Sequence, residues 1–321
     1  MKSLILSFLI LVQCVSCAQE APVKAPATTA NIIFKSDDGG QTWEDVSAGL
    51  PENLGINGVF LKEENLFLAT QSGFYRSNTA TTSPVWQKEF MFNEGAKGIS
   101  GVYPSQTGLY AFTGTNNFFQ QIRGVGAWLP VLTEIKNHGP HTLLETLAGA
   151  ILVGARNGIW KSNDYGRTWK HVHKEGWVMQ IVEAEGVLIC TNEQGILRST
   201  DGGESWELVI SEGGVGIDVE AIKGGFAAIT FNTESKTRRM RISKDGGKNW
   251  DTIDADLPPN LSISCIKEVG ESFFCGHPDG IFRSDDQGKT WKRILPSIGK
   301  KVFNLSVLGK SIYAIPRNAG C

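Results

Sequence analysis

Five aspartates, Asp38, Asp164, Asp201, Asp245 and Asp286, each stand two residues after a serine and two before a glycine, and a tryptophan closes every copy. Carboxylates in such a setting could do three things. They could trade protons as general acids and bases, ligate calcium, or accept backbone N–H groups and close turns. The calcium reading needs a bidentate acid further along the loop, and these segments lack it. Catalysis by carboxylates needs one pair at one site, whereas these acids recur at regular spacing. Turn closure suits every residue type present. A short carboxylate takes several N–H groups at once, glycine tolerates positive φ, and flanking hydroxyls tie the two sides together. The copies are Ser36/Asp38/Gly40/Trp43, Ser162/Asp164/Gly166/Trp169, Ser199/Asp201/Gly203/Trp206, Ser243/Asp245/Gly247/Trp250 and Ser284/Asp286/Gly288/Trp291. They are expected to be structural fasteners, with each Trp buried between neighbouring units at about 4–6 kcal/mol as an upper figure.

The elements that position these turns follow from their period. Trp86 and Trp128 fill the gap between the first two copies, and the seven tryptophans then stand 37 to 44 residues apart. A period near 40 is that of four-stranded propeller blades. Each unit reads as two apolar runs, a third short run ending in Ser, the motif turn, and a last strand from the Trp. The mature chain opens on a third strand, NIIFKS, and ends on a first and a second, VFNLSVLGKSIYAIPRNAGC. Together these end segments make one unit, that of Trp43. The expected fold is therefore all-β, a seven-bladed β-propeller over residues 31–321, its ring closed by N- and C-terminal strands sharing one blade. Closure removes exposed strand edges.

A propeller has two faces. The motif turns share one with the turns between first and second strands. The opposite face carries the loops between second and third strands and those between blades. It holds Arg156, His173, Trp177, Glu193, Arg238, His277, Asp279 and Arg317, the candidate ligand-binding residues, along with His138, His141, Glu175 and Arg239. Asn, Arg, His and an indole suit a polar partner, protein or glycan. The pair His138 and His141 could be half a metal site, but Gly-Pro lies between them and no carboxylate is adjacent, so neither a metal nor another cofactor is expected.

The pattern S/T-x-D-x-G-x-T/S-W is that of the Asp-box, or BNR, repeat, and the chain resembles that family across nearly all its mature length. The resemblance implies several functions. Sialidases of this type have six blades, an arginine in an R-I-P motif near the start and a tyrosine nucleophile. Here R-I-P is missing, and Tyr75, Tyr110, Tyr165 and Tyr313 fall in motif turns or strand patterns. Xyloglucanase-type hydrolases pair two propellers around a carboxylate cleft, and this chain has one. The overall likeness is to the photosystem II stability/assembly factor type, single exported propellers that hold polypeptides without catalysis. What carries over is a non-enzymatic, assembly-factor-like scaffold, with a protein partner first and a glycan second. The alternative is a glycoside hydrolase or sialidase-like carbohydrate-active enzyme.

The remaining features bound this reading. Net charge is -2 over 321 residues with both signs interspersed, which argues against a nucleic-acid partner. Residues 1–17 read as a signal peptide, with Lys2 before an apolar stretch too short to span a bilayer. Val15-Ser16-Cys17 resembles a lipobox whose cysteine is lipidated, while Ser16-Cys17-Ala18 also suits signal-peptidase cleavage. Residues 18–30 form a Pro/Ala/Thr tether. The expected product is an exported monomer, either a cell-envelope lipoprotein anchored through Cys17 or a secreted or periplasmic protein. Of the four later cysteines, Cys265 and Cys275 lie on two arms of one hairpin pattern. They suit either a cross-strand bridge or two small buried residues.

Overall fold

The computed structural model describes residues 32–318 apart from 53, 63–64, 79–84, 90–97, 123–126, 212–213, 259 and 300. The leader with Cys17, the tether and Cys321 lie outside the described residues. Seven four-stranded antiparallel sheets form the chain: blade 1 from 34–45 with 301–318, then blades 2 to 7 at 56–89, 99–130, 142–173, 178–210, 214–252 and 266–296. The first strand of each blade lies against the first strand of the next. That of blade 1 (Lys301–Leu308) meets that of blade 2 (Ile56–Lys62), so the circle closes.

Closure is made where the sequence pattern places it. Phe34, Lys35 and Ser36 pair antiparallel with Ala314, Tyr313 and Ile312. A guanidinium N–H of Arg283 in blade 7 reaches Gly39 O in blade 1 at 2.8 Å. The seam is built like every other junction. Each of the seven junctions holds its own cluster of buried apolar side chains. Each cluster includes the later blade's motif tryptophan, Trp43 against blade 7 and Trp250 against blade 5, for example.

The tryptophans divide into two kinds. Trp86 and Trp291 are buried, and their indole N–H groups reach Val46 O and Ile253 O of the preceding blade, each at 2.7 Å. Trp43, Trp169, Trp206 and Trp250 are half-buried and donate instead to the glycine carbonyl of their own turn at 3.0–3.2 Å. The upper figure of about 4–6 kcal/mol applies only to full burial, so these four contribute less.

The motif aspartates close turns. In blade 4, Asp164 Oδ1 accepts Thr168 N and Ser162 Oγ at 2.8 Å, and Oδ2 accepts Thr168 Oγ1 at 2.6 Å. Ser162 Oγ in turn takes Gly166 N at 2.8 Å, where φ is +84°. The other copies repeat these bonds. The hydroxyls of Ser36, Ser199, Ser243 and Ser284 are buried, donate to Asp38, Asp201, Asp245 and Asp286 at 2.8 Å, and accept the glycine N–H at 2.8–2.9 Å. At three junctions, that of Arg283 among them, a strand-three cation reaches the motif turn of the next blade. Arg198 Nε donates to Gly246 O at 2.7 Å and Lys161 Nζ to Glu204 at 2.8 Å.

Four of the motif glycines serve packing as well as the backbone angle. Gly40, Gly203, Gly247 and Gly288 do have φ between +80° and +86°, but all four are buried inside the ring. The preceding blade packs directly on each Cα. An added Cβ would stand 2.4 Å from Ile294 Cδ1 at Gly40, 3.1 Å from Leu152 Cδ2 at Gly203, 2.5 Å from Ile189 Cδ1 at Gly247 and 2.5 Å from Ile253 Cβ at Gly288. These four glycines are therefore packing contacts between blades as well as turn residues, and none is open to a ligand. Gly166 is only half-buried, and its nearest neighbours stand 3.4 Å from an added Cβ.

Hydrogen bonds from the threonine hydroxyls, then the backbone, hold Asp38, Asp164 and Asp286 down to about 2. A carboxylate depressed in the folded state contributes stability that is present above its unfolded value, near 3.9, and lost as pH falls through its folded value. The motif turns should therefore stay fastened to about pH 4 and release between there and about 2. A carboxyl-carbon NMR titration should give these three groups midpoints near 2. Midpoints at the ordinary aspartate value would refute the fastener role.

Cys190, Cys265 and Cys275 are free and buried. Cys275 pairs with Ile266, one residue past Cys265. That one-residue offset turns the two thiols to opposite faces of the sheet, and they pack in different clusters. The small-buried-residue reading holds and the bridge does not form.

Candidate functional site

The loops opposite the motif turns are held by a repeated bond. The turn after a second strand donates a backbone N–H to the segment entering that blade's first strand. Gln71 N reaches Gly55 O at 3.2 Å, Gly114 N reaches Gly98 O at 2.8 Å, and Glu193 N reaches Trp177 O at 3.2 Å. At this structurally equivalent place blades 2 and 3 carry glycine, and blade 5 carries a tryptophan that is 39% exposed.

Neighbouring side chains gather around that indole. The His141 ring meets it edge-on, with centroids 5.5 Å apart at 76°. Arg156 N donates to His138 O at 3.0 Å, and the side chain lies back over Gly139. Gly139 ends the short 3-10 helix Glu134–His138 at φ +62°, and a Cβ there would stand 3.0 Å from Arg156 Cδ. Crowding by surrounding protein lowers the His141 imidazole, and the Arg156 charge lowers it further. Glu193 is exposed beside Gly176. Below them Asn192 is fully buried. Its Oδ1 accepts Gln194 N at 2.9 Å, while Nδ2 lies under Gly176 without a partner. His173 Nε2 is likewise buried and unpartnered, and desolvation lowers that imidazole. An indole plate, a guanidinium, a carboxylate and the His141 imidazole stand here, groups able to stack, donate and accept.

The structure thus brings Arg156, Trp177 and Glu193 to neighbouring places at blades 4 and 5 and adds His141, while His173 ends the last strand of blade 4 with its Nε2 buried. It does not bring the other four candidates to them. His277 is 0% exposed and closes its own turn, with Nε2 3.0 Å from Pro258 O and Nδ1 accepting Asp279 N at 3.0 Å. It cannot touch a ligand, because both ring nitrogens are engaged inside the fold. Asp279 is exposed at the tip of that turn. Arg238 in blade 6 donates to Ile263 O and lies over the Phe231 ring at 6.0 Å. Arg317 is exposed on blade 1. Among the described residues no group of three or more His, Cys, Asp or Glu could hold a metal.

One charged cluster was not foreseen. Asp218 and Glu220, on the first strand of blade 6, face Lys267 on the first strand of blade 7. Lys267 Nζ lies 2.5 Å from Glu220 Oε2, and Asp218 Oδ2 accepts Ile266 N at 3.0 Å. Burial pushes both carboxylates up; burial opposes the lysine's charge, but the two carboxylates outweigh it and raise the lysine. The available signal was the alternation IDVEAI at 217–222, which sets two acids on one strand face. Both acids are engaged in joining two blades, so this pair has the contacts of a strut.

Comparison with known proteins agrees with this architecture. The profile of the BNR-Asp box repeat matches residues 159–172 and 281–294, and that of the BNR/Asp-box repeat matches 34–45. No curated protein matches the sequence. Similar solved structures include YCF48 bound to D1 peptide, at 11% identity and TM-score 0.60, covering 94% of this chain and 100% of that one. The GH74 xyloglucanase from Xanthomonas campestris is 14% identical with TM-score 0.64, covering 84% of this chain and 52% of that one, so the chain spans about half its length. A catalytically inactive virginiamycin B lyase from Staphylococcus aureus, with quinupristin, is 14% identical with TM-score 0.62, covering 84% and 97%. At these identities the likeness is one of fold.

Proposed function

We propose that the protein is an exported, non-enzymatic propeller scaffold that holds a polypeptide partner against the patch of His141, Arg156, Trp177 and Glu193. The observation that carries this reading is the exposed indole of Trp177, where the equivalent positions of blades 2 and 3 are Gly55 and Gly98. Aromatic and arginine side chains dominate protein recognition, and a rigid disc loses little entropy when its loops bind. The assembly-factor resemblance and a propeller of matching length that carries a peptide, YCF48 with D1 peptide, support a protein partner over a glycan. Cys17 would tether the disc to the cell envelope, leaving a single propeller free to present this face. None of the described helices is long and apolar enough to cross a membrane.

The test is capture of envelope proteins by the wild type and by Trp177→Ala, run beside a panel of fluorogenic glycosides. Loss of an interfacial Trp costs about 2 kcal/mol or more, so the variant should bind its captured partner at least about 30-fold more weakly. Unchanged capture by Trp177→Ala would refute the patch. Glycoside turnover abolished by Glu193→Gln would replace the scaffold reading with a carbohydrate-active enzyme.

A further inference from the structure

We infer that blade 6 carries a second pocket, apart from the patch, that takes a peptide carboxylate lying next to an aliphatic side chain. The pocket opens between the loop after the second strand, Gly225–Asn232, and the segment leading to blade 7. Its volume is about 370 Å³, within the range of small-ligand sites. Three cations, Lys236, Arg238 and Arg239, line it with one carboxylate, Asp254, and two leucines, Leu257 and Leu261.

The acid is already satisfied. Arg239 grips Asp254 with Nε–O contacts of 3.0 and 3.2 Å and a second nitrogen at 3.0 Å, and Met240 N donates to the same carboxylate at 2.8 Å. The lining's three cations outnumber its one carboxylate, and Lys236 is the exposed one, although Glu234 sits exposed two residues before it. The Arg238 guanidinium is held in place by Ile263 O and the Phe231 ring. The apolar part is equally defined. Leu257 is buried, and Leu261 is 50% exposed at the pocket.

The loop is organised before any ligand arrives. Asn232 Oδ1 accepts both Glu234 N and Ser235 N at 2.9 Å, and the hydroxyls of Ser235 and Thr237 meet at 2.7 Å. These bonds set the turn and hold Lys236 at φ +55°. A fixed cationic wall beside two leucines selects an anion with an aliphatic neighbour. An inorganic anion would leave the leucines unused. Two sources share the favoured chemistry, a chain ending in an aliphatic residue and an internal Asp or Glu beside one. Nothing here depends on Trp177 or on an assembly role, so either inference can fail alone.

Isothermal titration with three probes tests it: N-acetylglycylleucine, which ends in a free carboxylate; its C-terminal amide; and an acetylated, amidated leucyl-glutamyl-glycine. Either carboxylate probe should bind at least about tenfold more tightly than the neutral amide, about 1.4 kcal/mol, and the better of the two identifies the source. Lys236→Glu and Leu261→Ser should each weaken that binding about fivefold or more, with unchanged melting curves, and Trp177→Ala should leave it intact. Equal binding of the amide, absence of binding by both carboxylate probes, or indifference to Lys236→Glu would each overturn the inference.

Discussion

Gly195→Ala is expected to lower stability by about 3–5 kcal/mol, with the loss measured by urea unfolding. Gly195 opens the third strand of blade 5 at φ +136°, a conformation side chains rarely adopt. A Cβ there would stand 1.8 Å from Ile210 O and 2.9 Å from the carbon of the same carbonyl. Both are backbone atoms of the outer strand, so no rotamer change relieves the clash. The third and fourth strands shift register beside this glycine, between Ile196 and Leu197, which is how the carbonyl comes so near. Blades 4 and 7 repeat the arrangement. A Cβ on Gly158 would meet His173 O at 2.0 Å, and one on Gly280 would meet Leu295 O at 1.9 Å. Gly186 is the control. Its φ is +76°, but nothing lies within 4 Å of the added atom, so Gly186→Ala should cost only about 1–2 kcal/mol. Equal losses at the two sites would show that the close approach of strand four is not what requires Gly195.

Lys267→Met is expected to cost about as much, roughly 3–5 kcal/mol, because it strands two buried acids. Asp218 is buried, and the Lys267 and Glu220 side chains are only 16% and 28% exposed. Without the ammonium, Asp218 and Glu220 would stand side by side on one strand face with no counter-charge opposite them. Adding Glu220→Gln should recover much of the loss. The pH dependence has a definite sign. A carboxyl raised in the folded state is more stable protonated, so its contribution is present below its unfolded value and lost as pH rises through the folded one. The variant should therefore be closest to wild type near pH 5 and furthest from it near pH 8. A pH-independent difference would mean that lost packing of the lysine stem, and not stranded charge, explains the effect.

The blade count was legible because the motif is local and recurs. Each Asp–Ser–Gly turn closes within a few residues, so its chemistry is written in consecutive letters, and the spacing of its tryptophans reports the blade. The shared blade was legible too, since a third strand near the start and a first and second near the end have the lengths of one four-stranded unit, and the sheet they form joins them. What spanned blades was not. Asp218, Glu220 and Lys267 meet because two first strands lie side by side, yet Lys267 follows Glu220 by 47 residues. The same holds for Gly40, Gly247 and Gly288, whose need for a bare Cα comes from an isoleucine of the preceding blade. The mixed burial of the tryptophans depends on whether the neighbouring blade offers a carbonyl, as Val46 and Ile253 do. His277 looked like a ligand contact because HPDG is a polar loop sequence. Its ring instead turns inward and supplies the bonds that the turn needs. The patch at Trp177 was half legible. Its residue types were visible, but only the fold brings His141 and Glu193 beside Trp177.

Paired photocross-linking measures most directly whether the partner binds the loop face while the motif turns only fasten the ring. A photoreactive phenylalanine analogue would replace Glu193 on the loop face or Arg167 in a motif turn, in the full chain exposed to its envelope fraction. A discrete protein adduct is predicted at position 193 and none at 167. An adduct at position 167 alone would contradict the account.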